Sequence, residues 1–368
     1  MRWIGALGAA LALAVVVAAP AAAATAPPSL ATSCASQQVP PPPAAREEAG
    51  RPVPPPLPWP ATTVGGDALG SCGDIGPAGV PVVGAASWVL ADLDTGAVLA
   101  AHAPHARHRP ASTLKVLNAL VVRRNLDPDA IVDGEAEDVA IDGSKAGIGP
   151  GGQYTVRELL DGLLLNSGND AAQALARALG GDAAAVQDMS DLAHQLGALD
   201  TRPATPSGLD GPGMASSAYD LALLFRVAMR DQLFAQTIGT DTVPFPGYGN
   251  LPGFTDAARH TLVGAAEHNG RRLVVALMRG EQEPVPMWRQ AASLLDWGFA
   301  QPPDAAPVGV LVDAAPAPPP PPSAAAEPAV GGAGGEAVSS GLPLELLTVT
   351  ALVAAVGGAF LLRRHSRR

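Results

Sequence analysis

Residues 87–100 read Ser87-Trp88-Val89-Leu90-Ala91-Asp92-Leu93, then Asp94-Thr95-Gly96, then Ala97-Val98-Leu99-Ala100. Two apolar, β-prone runs flank a short turn ending in glycine, which predicts an antiparallel hairpin. A second hairpin is written some 170 residues on. There, residues 261–266 and 271–278 flank Asn269-Gly270, a dipeptide suited to the left-handed backbone of a two-residue turn. Between the hairpins the periodicity becomes helical. Helices are expected from Ser112 through Leu114, Val116, Leu117 and Leu120, and across 159–165 after the capping box Thr155-Val156-Arg157-Glu158. Two more are expected from Asp170 and across 219–229, and the amphipathic stretch 287–299 closes the region. Strands at both ends with helices between predict an α/β (α+β) fold, an antiparallel sheet flanked by helices. The sequence contains no internal repeat.

Outside this region the composition changes. Residues 25–80 and 301–341 are rich in Pro, Ala and Gly and lack apolar periodicity, so they read as an extension and a linker. That leaves 81–300 as one domain of ordinary size. Residues 1–24 carry a basic start, an apolar run and an Ala-rich cleavage site, the pattern of a signal peptide; an uncleaved anchor is the alternative. Residues 342–362 form an apolar segment of bilayer-crossing length, followed by the basic tail 363–368, expected in the cytoplasm. The expectation is a single-pass membrane protein with its folded part outside the cell, tethered through a C-terminal helix. Cys34 and Cys72 both fall in the extension. A disulfide between them fits an oxidising compartment, and two free thiols is the alternative. A net charge of −11 and a pI near 5.0 argue against a nucleic-acid partner.

The chemistry centres on Ser112-Thr113-Leu114-Lys115. Three residues apart on a helix, the hydroxyl and the amine share a face. A serine attacks only once a base takes its proton, and a lysine serves as base only when burial or neighbouring positive charge lowers its pKa. The chain has two lysines, Lys115 and Lys145, against 21 arginines, so a chance match to this spacing is about a one-in-ten event. The second signal, Asn166-Ser167-Gly168-Asn169, falls at the break between two expected helices. Ser167 could relay a proton and Asn169 could orient Lys115; a polar inter-helix turn is the plainer explanation.

Ser112-x-x-Lys115 followed by Ser167-x-Asn169 resembles the active-site set of the penicillin-recognising serine enzymes. Longer stretches resemble the actinobacterial D-alanyl-D-alanine carboxypeptidases, the low-molecular-weight penicillin-binding proteins of peptidase S11 type. These are 91–96, 110–115, Gly143-Ser144-Lys145, 163–172 and Pro206-Ser207-Gly208-Leu209-Asp210. The resemblance spans about 85–300 and implies a β-lactamase/transpeptidase-like fold. It implies Ser112 as acylated nucleophile, Lys115 as general base, Ser167 as proton shuttle and Asn169 as a substrate contact, with no cofactor and no metal. The implied substrates are peptidoglycan stem peptides, and β-lactams are the implied inhibitors.

One family motif is missing. Where a Lys-Thr-Gly strand is expected, the chain reads Leu251-Pro252-Gly253-Phe254-Thr255, and no lysine follows Lys145. The resemblance still implies Gly253, Phe254 and Thr255 as substrate contacts, but the carboxylate-binding cation and hydroxyl are absent, as by a short internal deletion. Arg259 is not read as the replacement, because the family carries a basic residue there alongside the motif. Two expectations follow: a carboxypeptidase with impaired turnover, or a catalytically inactive wall-binding scaffold of the same fold. A class A β-lactamase is a third, less consistent with a membrane tether. His102, His105 and His108 are read as exposed loop residues rather than zinc ligands. Lys145 is read either as a cleft residue or as surface.

Overall fold

The computed structural model describes residues 52–240 and 258–316. The expected signal peptide, Cys34, the substrate contacts Gly253, Phe254 and Thr255, and the expected span 342–362 lie outside the described residues. Among the described residues, no helix is long and apolar enough to cross a membrane.

The two hairpins form as read and meet in one sheet. β1 (Asp74–Ile75), β2 (Ala85–Asp92), β3 (Ala97–His102), β6 (His260–His268) and β7 (Arg271–Gly280) run in the order β1-β3-β2-β7-β6, with β8 (Gly309–Val310) also on β3. All of these pairings are antiparallel. A small separate sheet pairs β4 (Ile131–Asp133) with β5 (Gln153–Thr155). Asn269 and Gly270 at the β6–β7 turn have φ of 51° and 76°, the left-handed pair that a type I′ turn requires.

Strand alternation creates two apolar layers. Trp88 pairs with Leu277 and Leu90 with Val275, and these pack with Leu294 of the helix Met287–Ala300 on one face. Val89 pairs with Ala276 and Ala91 with Val274, and these face the remaining helices. Each fully buried Leu or Val stabilises the fold by roughly 1.5–3 kcal/mol, so a one-residue register slip would invert both layers at prohibitive cost. The helices are α1 (Lys115–Asn125), α2 (Ala136–Ala140), α3 (Val156–Leu165), α4 (Asn169–Ala178), α5 (Asp182–Leu196), α6 (Ala218–Ala228), α7 (Gln232–Ile238) and α8 (Met287–Ala300). The Thr155–Glu158 capping box starts α3, each side chain bonding the other's backbone amide.

Two features differ from the sequence reading. First, Ser112 is not on an α-helix. Residues Ala111–Leu114 form a 3-10 turn that feeds α1 at Lys115. Second, parts of the Pro-rich flanks pack on the domain. Val64 and Leu69 are buried, Ile75 pairs into the sheet, and Leu311 is buried beyond β8. Besides these few buried side chains, side chains of the domain hold the flanks by their backbone, a contact that leaves no periodicity in the sequence. Arg107 donates to the carbonyls of Leu57 and Pro58, and Tyr219 donates to that of Val310.

Candidate active site

The 3-10 turn sets the first distance. At three residues per turn, positions i and i+3 eclipse, which stacks Lys115 directly against Ser112. Lys115 Nζ lies 3.0 Å from Ser112 Oγ. Local strain fixes the turn: Ala111 has φ of 48°, and Thr113 Oγ1 donates to the Pro110 carbonyl at 2.6 Å. Gly208 lies against it, where a Cβ would come within 2.1 Å of the Ala111 carbonyl oxygen, so only glycine fits.

Two further acceptors hold the amine. Lys115 Nζ donates to Asn169 Oδ1 at 2.7 Å and to the Ser207 carbonyl at 2.6 Å. Only 2% of the residue is exposed. Burial pushes the Lys115 pKa down to about 7, against the opposing charge of Asp170. Near neutral pH much of the population is therefore free amine, able to accept a proton from Ser112. Burial, not a neighbouring cation, produces the shift. Lys145 points elsewhere and donates to the Val139 carbonyl at 2.5 Å.

Ser167 sits between α3 and α4 with φ of 52°, and its buried hydroxyl has no hydrogen-bond partner among the described residues. Ser112, Lys115, Ser167 and Asn169 line one cavity of about 620 Å³, together with Arg259 and residues 260–265 of β6. That size suits a short peptide. The Arg259 guanidinium is ion-paired to Glu281, with Nε at 3.1 Å from Oε1.

The structure thus brings together Ser112, Lys115, Ser167 and Asn169, 57 residues apart at the extremes. Gly253, Phe254 and Thr255 are outside the described residues. Sequence reasoning did not foresee the Ser207 carbonyl, since a backbone acceptor leaves no trace in residue type.

The histidines correct another expectation. His105 and His108 are buried, at 8% and 2% exposure, not exposed loop residues. His105 Nδ1 lies 2.8 Å from Asp200 Oδ2 and Nε2 lies 3.1 Å from the Val64 carbonyl, so both nitrogens face acceptors. Burial disfavours the charged ring, but the hydrogen bond and charge of Asp200, aided by Asp220, hold its pKa above the ordinary value. Arg107 binds the other Asp200 oxygen at 2.8 Å and lies 3.6 Å over the Trp59 ring. His105, Asp200 and Asp220 offer ligand atoms within 4.8 Å of one another. Hydrogen bonds already occupy both ring nitrogens and both Asp200 oxygens, which makes this a structural ion-pair network. Burial, with Arg279 beside it, pushes His108 down to about 4, so it is neutral, and its backbone pairs with Ser216. Cys72 is disulfide-bonded.

The family model described as D-alanyl-D-alanine carboxypeptidase (Peptidase_S11) matches residues 77–244. The D-alanyl-D-alanine carboxypeptidase DacB2 of Mycobacterium tuberculosis is 44% identical over 260 residues, covering 63% of this chain and 89% of that protein. DacD of Escherichia coli is 33% identical over 255 residues, and the match covers 59% of this chain and 64% of DacD. Among solved structures, a D-alanyl-D-alanine carboxypeptidase from M. tuberculosis H37Rv superposes with a TM-score of 0.61 at 44% identity, over 64% of this chain and 99% of that one. Penicillin binding protein 6B from E. coli gives 0.55 at 31% identity, over 61% and 82%.

Proposed function

The chain belongs to the D-alanyl-D-alanine carboxypeptidase family of serine peptidases, and we propose that it removes the terminal D-alanine of peptidoglycan stem peptides through an acyl-enzyme on Ser112. One observation carries this reading: a buried amine with its pKa near 7 lies 3.0 Å from a serine hydroxyl that lines an open cavity.

The neutral Lys115 amine takes the Ser112 proton as Oγ bonds to the carbonyl carbon of the penultimate D-alanine. The tetrahedral intermediate collapses when its C–N bond breaks. The leaving amine needs a proton, and Ser167 relays it from the Lys115 ammonium while Asn169 and Ser207 hold that ammonium in place. Water, deprotonated by the regenerated amine, then attacks the ester and frees Ser112. A β-lactam would acylate the same oxygen, but its leaving amine stays tethered and blocks the water.

The reading puts the catalytic unit outside the cytoplasmic membrane, on the strength of the apolar stretches in 1–24 and 342–362. A second reading, a wall-binding protein that no longer turns over, is favoured by Leu251-Pro252-Gly253 in place of Lys-Thr-Gly. Losing a carboxylate clamp costs on the order of a hundredfold or more in rate.

Assaying free D-alanine after incubation with a D-alanyl-D-alanine-terminated pentapeptide separates the two. Release that vanishes in Ser112→Ala supports the enzyme. Folded wild-type protein that binds the peptide and releases nothing supports the scaffold.

A further inference from the structure

Asp170 takes no part in the proton transfers above, yet its carboxylate is fully engaged. Oδ1 accepts from the Ala146 amide at 2.7 Å and from that of Ala171 at 2.9 Å. Oδ2 accepts from Gly147 at 2.7 Å and Ile148 at 3.0 Å. The residue is 1% exposed. Three of these four donors belong to one loop, so the carboxylate pins the 142–148 loop to the first turn of α4.

That loop in turn grips Asn169. Asn169 Nδ2 donates to the Asp142 carbonyl at 2.6 Å, and its backbone amide donates to the Ser144 carbonyl at 2.7 Å. With the amide nitrogen committed to the loop, the amide oxygen faces Lys115 and accepts from Nζ at 2.7 Å. A flipped amide would set two donors against each other.

We propose that Asp170 is a positioning residue for the Ser112–Lys115 centre: it fixes the 142–148 loop, the loop fixes the Asn169 amide, and the amide oxygen fixes the lysine amine. The proposal rests on Ser112 and Lys115 acting as nucleophile and base. Other charged groups around the cavity do not duplicate the role. Lys145, on the same loop, donates to the Val139 carbonyl, and Arg259 on the β6 side is paired with Glu281 beside His260. Asp170 is the acidic group whose charge opposes the effect of burial on Lys115.

The chain has two lysines, so ε-13C-lysine NMR reads Lys115 directly, with Lys145→Arg assigning the pair. Asp170→Asn is expected to lower the Lys115 titration midpoint by on the order of one pH unit. The acid limb of penicillin acylation should move down with it. Gly143→Ala leaves Asp170 intact but puts a Cβ 2.6 Å from Asn169 Nδ2, at a φ of 88°. It should also lower the midpoint by displacing the amide. Loss of the Asp170 charge by itself lowers the midpoint, so Gly143→Ala, which keeps that charge, is the variant that reads the link from the loop through the Asn169 amide to the amine. A folded variant with both the midpoint and the acid limb at wild-type values overturns the proposal. The NMR midpoint is read without turnover, so wild-type protein that fails to acylate would sink the enzymatic reading and leave the positioning role to be judged separately.

Discussion

Lys115 and Asn169 stand 54 residues apart in the chain, and 2.7 Å separates the amine of one from the amide oxygen of the other. A hydrogen bond to a charged group is worth about 1.5–3 kcal/mol. Here it orients the amine toward Ser112 and, in the proposed mechanism, would stabilise the ammonium formed on acylation of Ser112. Asn169→Ala is therefore expected to slow penicillin acylation about 10- to 100-fold. Stopped-flow acylation kinetics check this; wild-type rates in the variant would exclude Asn169 from the proton path.

Lys115 also makes the site costly to fold. Its folded-state pKa, about 7, lies below the ordinary 10.5. Between those values the unfolded chain binds more protons than the folded one, so the penalty is full below about pH 7 and is relieved as pH rises toward 10.5. Lys115→Met should abolish acylation and yet stabilise the protein at pH 6 by on the order of a few kcal/mol. Thermal unfolding at pH 6 and pH 10 tests the sign, and the gain should shrink at the higher pH.

Much of this was legible because it is local. Ser112 and Lys115 are three residues apart, Thr155 and Glu158 form a capping box within one turn, and Asn269-Gly270 names its own turn. Trp88, Val89, Leu90 and Ala91 each took the face that strand alternation assigns. What escaped was non-local or carried by the backbone. The anchorage of Asp170 uses three amides from a loop some 23 residues upstream, and Lys115 ends on the carbonyl of Ser207. The His105–Asp200 contact joins residues 95 apart, so a spacing rule applied to His102, His105 and His108 had no access to it. The 3-10 turn at Ser112 escaped because apolar periodicity does not separate it from the first turn of a helix.

The buried His105 makes the hold on the Pro-rich flank sensitive to pH. Its folded-state pKa is raised, so its stabilisation is full below about 6.5, the unfolded value, and is lost as pH rises through the folded-state value. His105→Gln should therefore destabilise the protein more at pH 5.5 than at pH 9. A Tm difference from wild type that stays flat across that range would show that Asp200 and the Val64 carbonyl do not face a charged ring.

Gly208 offers a steric test of the turn. Gly208→Ala would drive a methyl into the Ala111 carbonyl at a φ of 86°, where side chains are already strained. The expected result is a loss of acylation of roughly a hundredfold, since a 1 Å misplacement of the nucleophile has that effect. Asn169 and Ser167 are untouched by the change, so an unchanged rate would mean that the turn tolerates displacement.

The most direct test of the central claim is the intact mass of the chain after incubation with benzylpenicillin, followed by peptide mapping. The account predicts one adduct, carried by the peptide containing Ser112, formed faster as pH rises through about 7 and absent from Ser112→Ala. A folded wild-type protein that gains no mass, or an adduct that persists in Ser112→Ala, would contradict it.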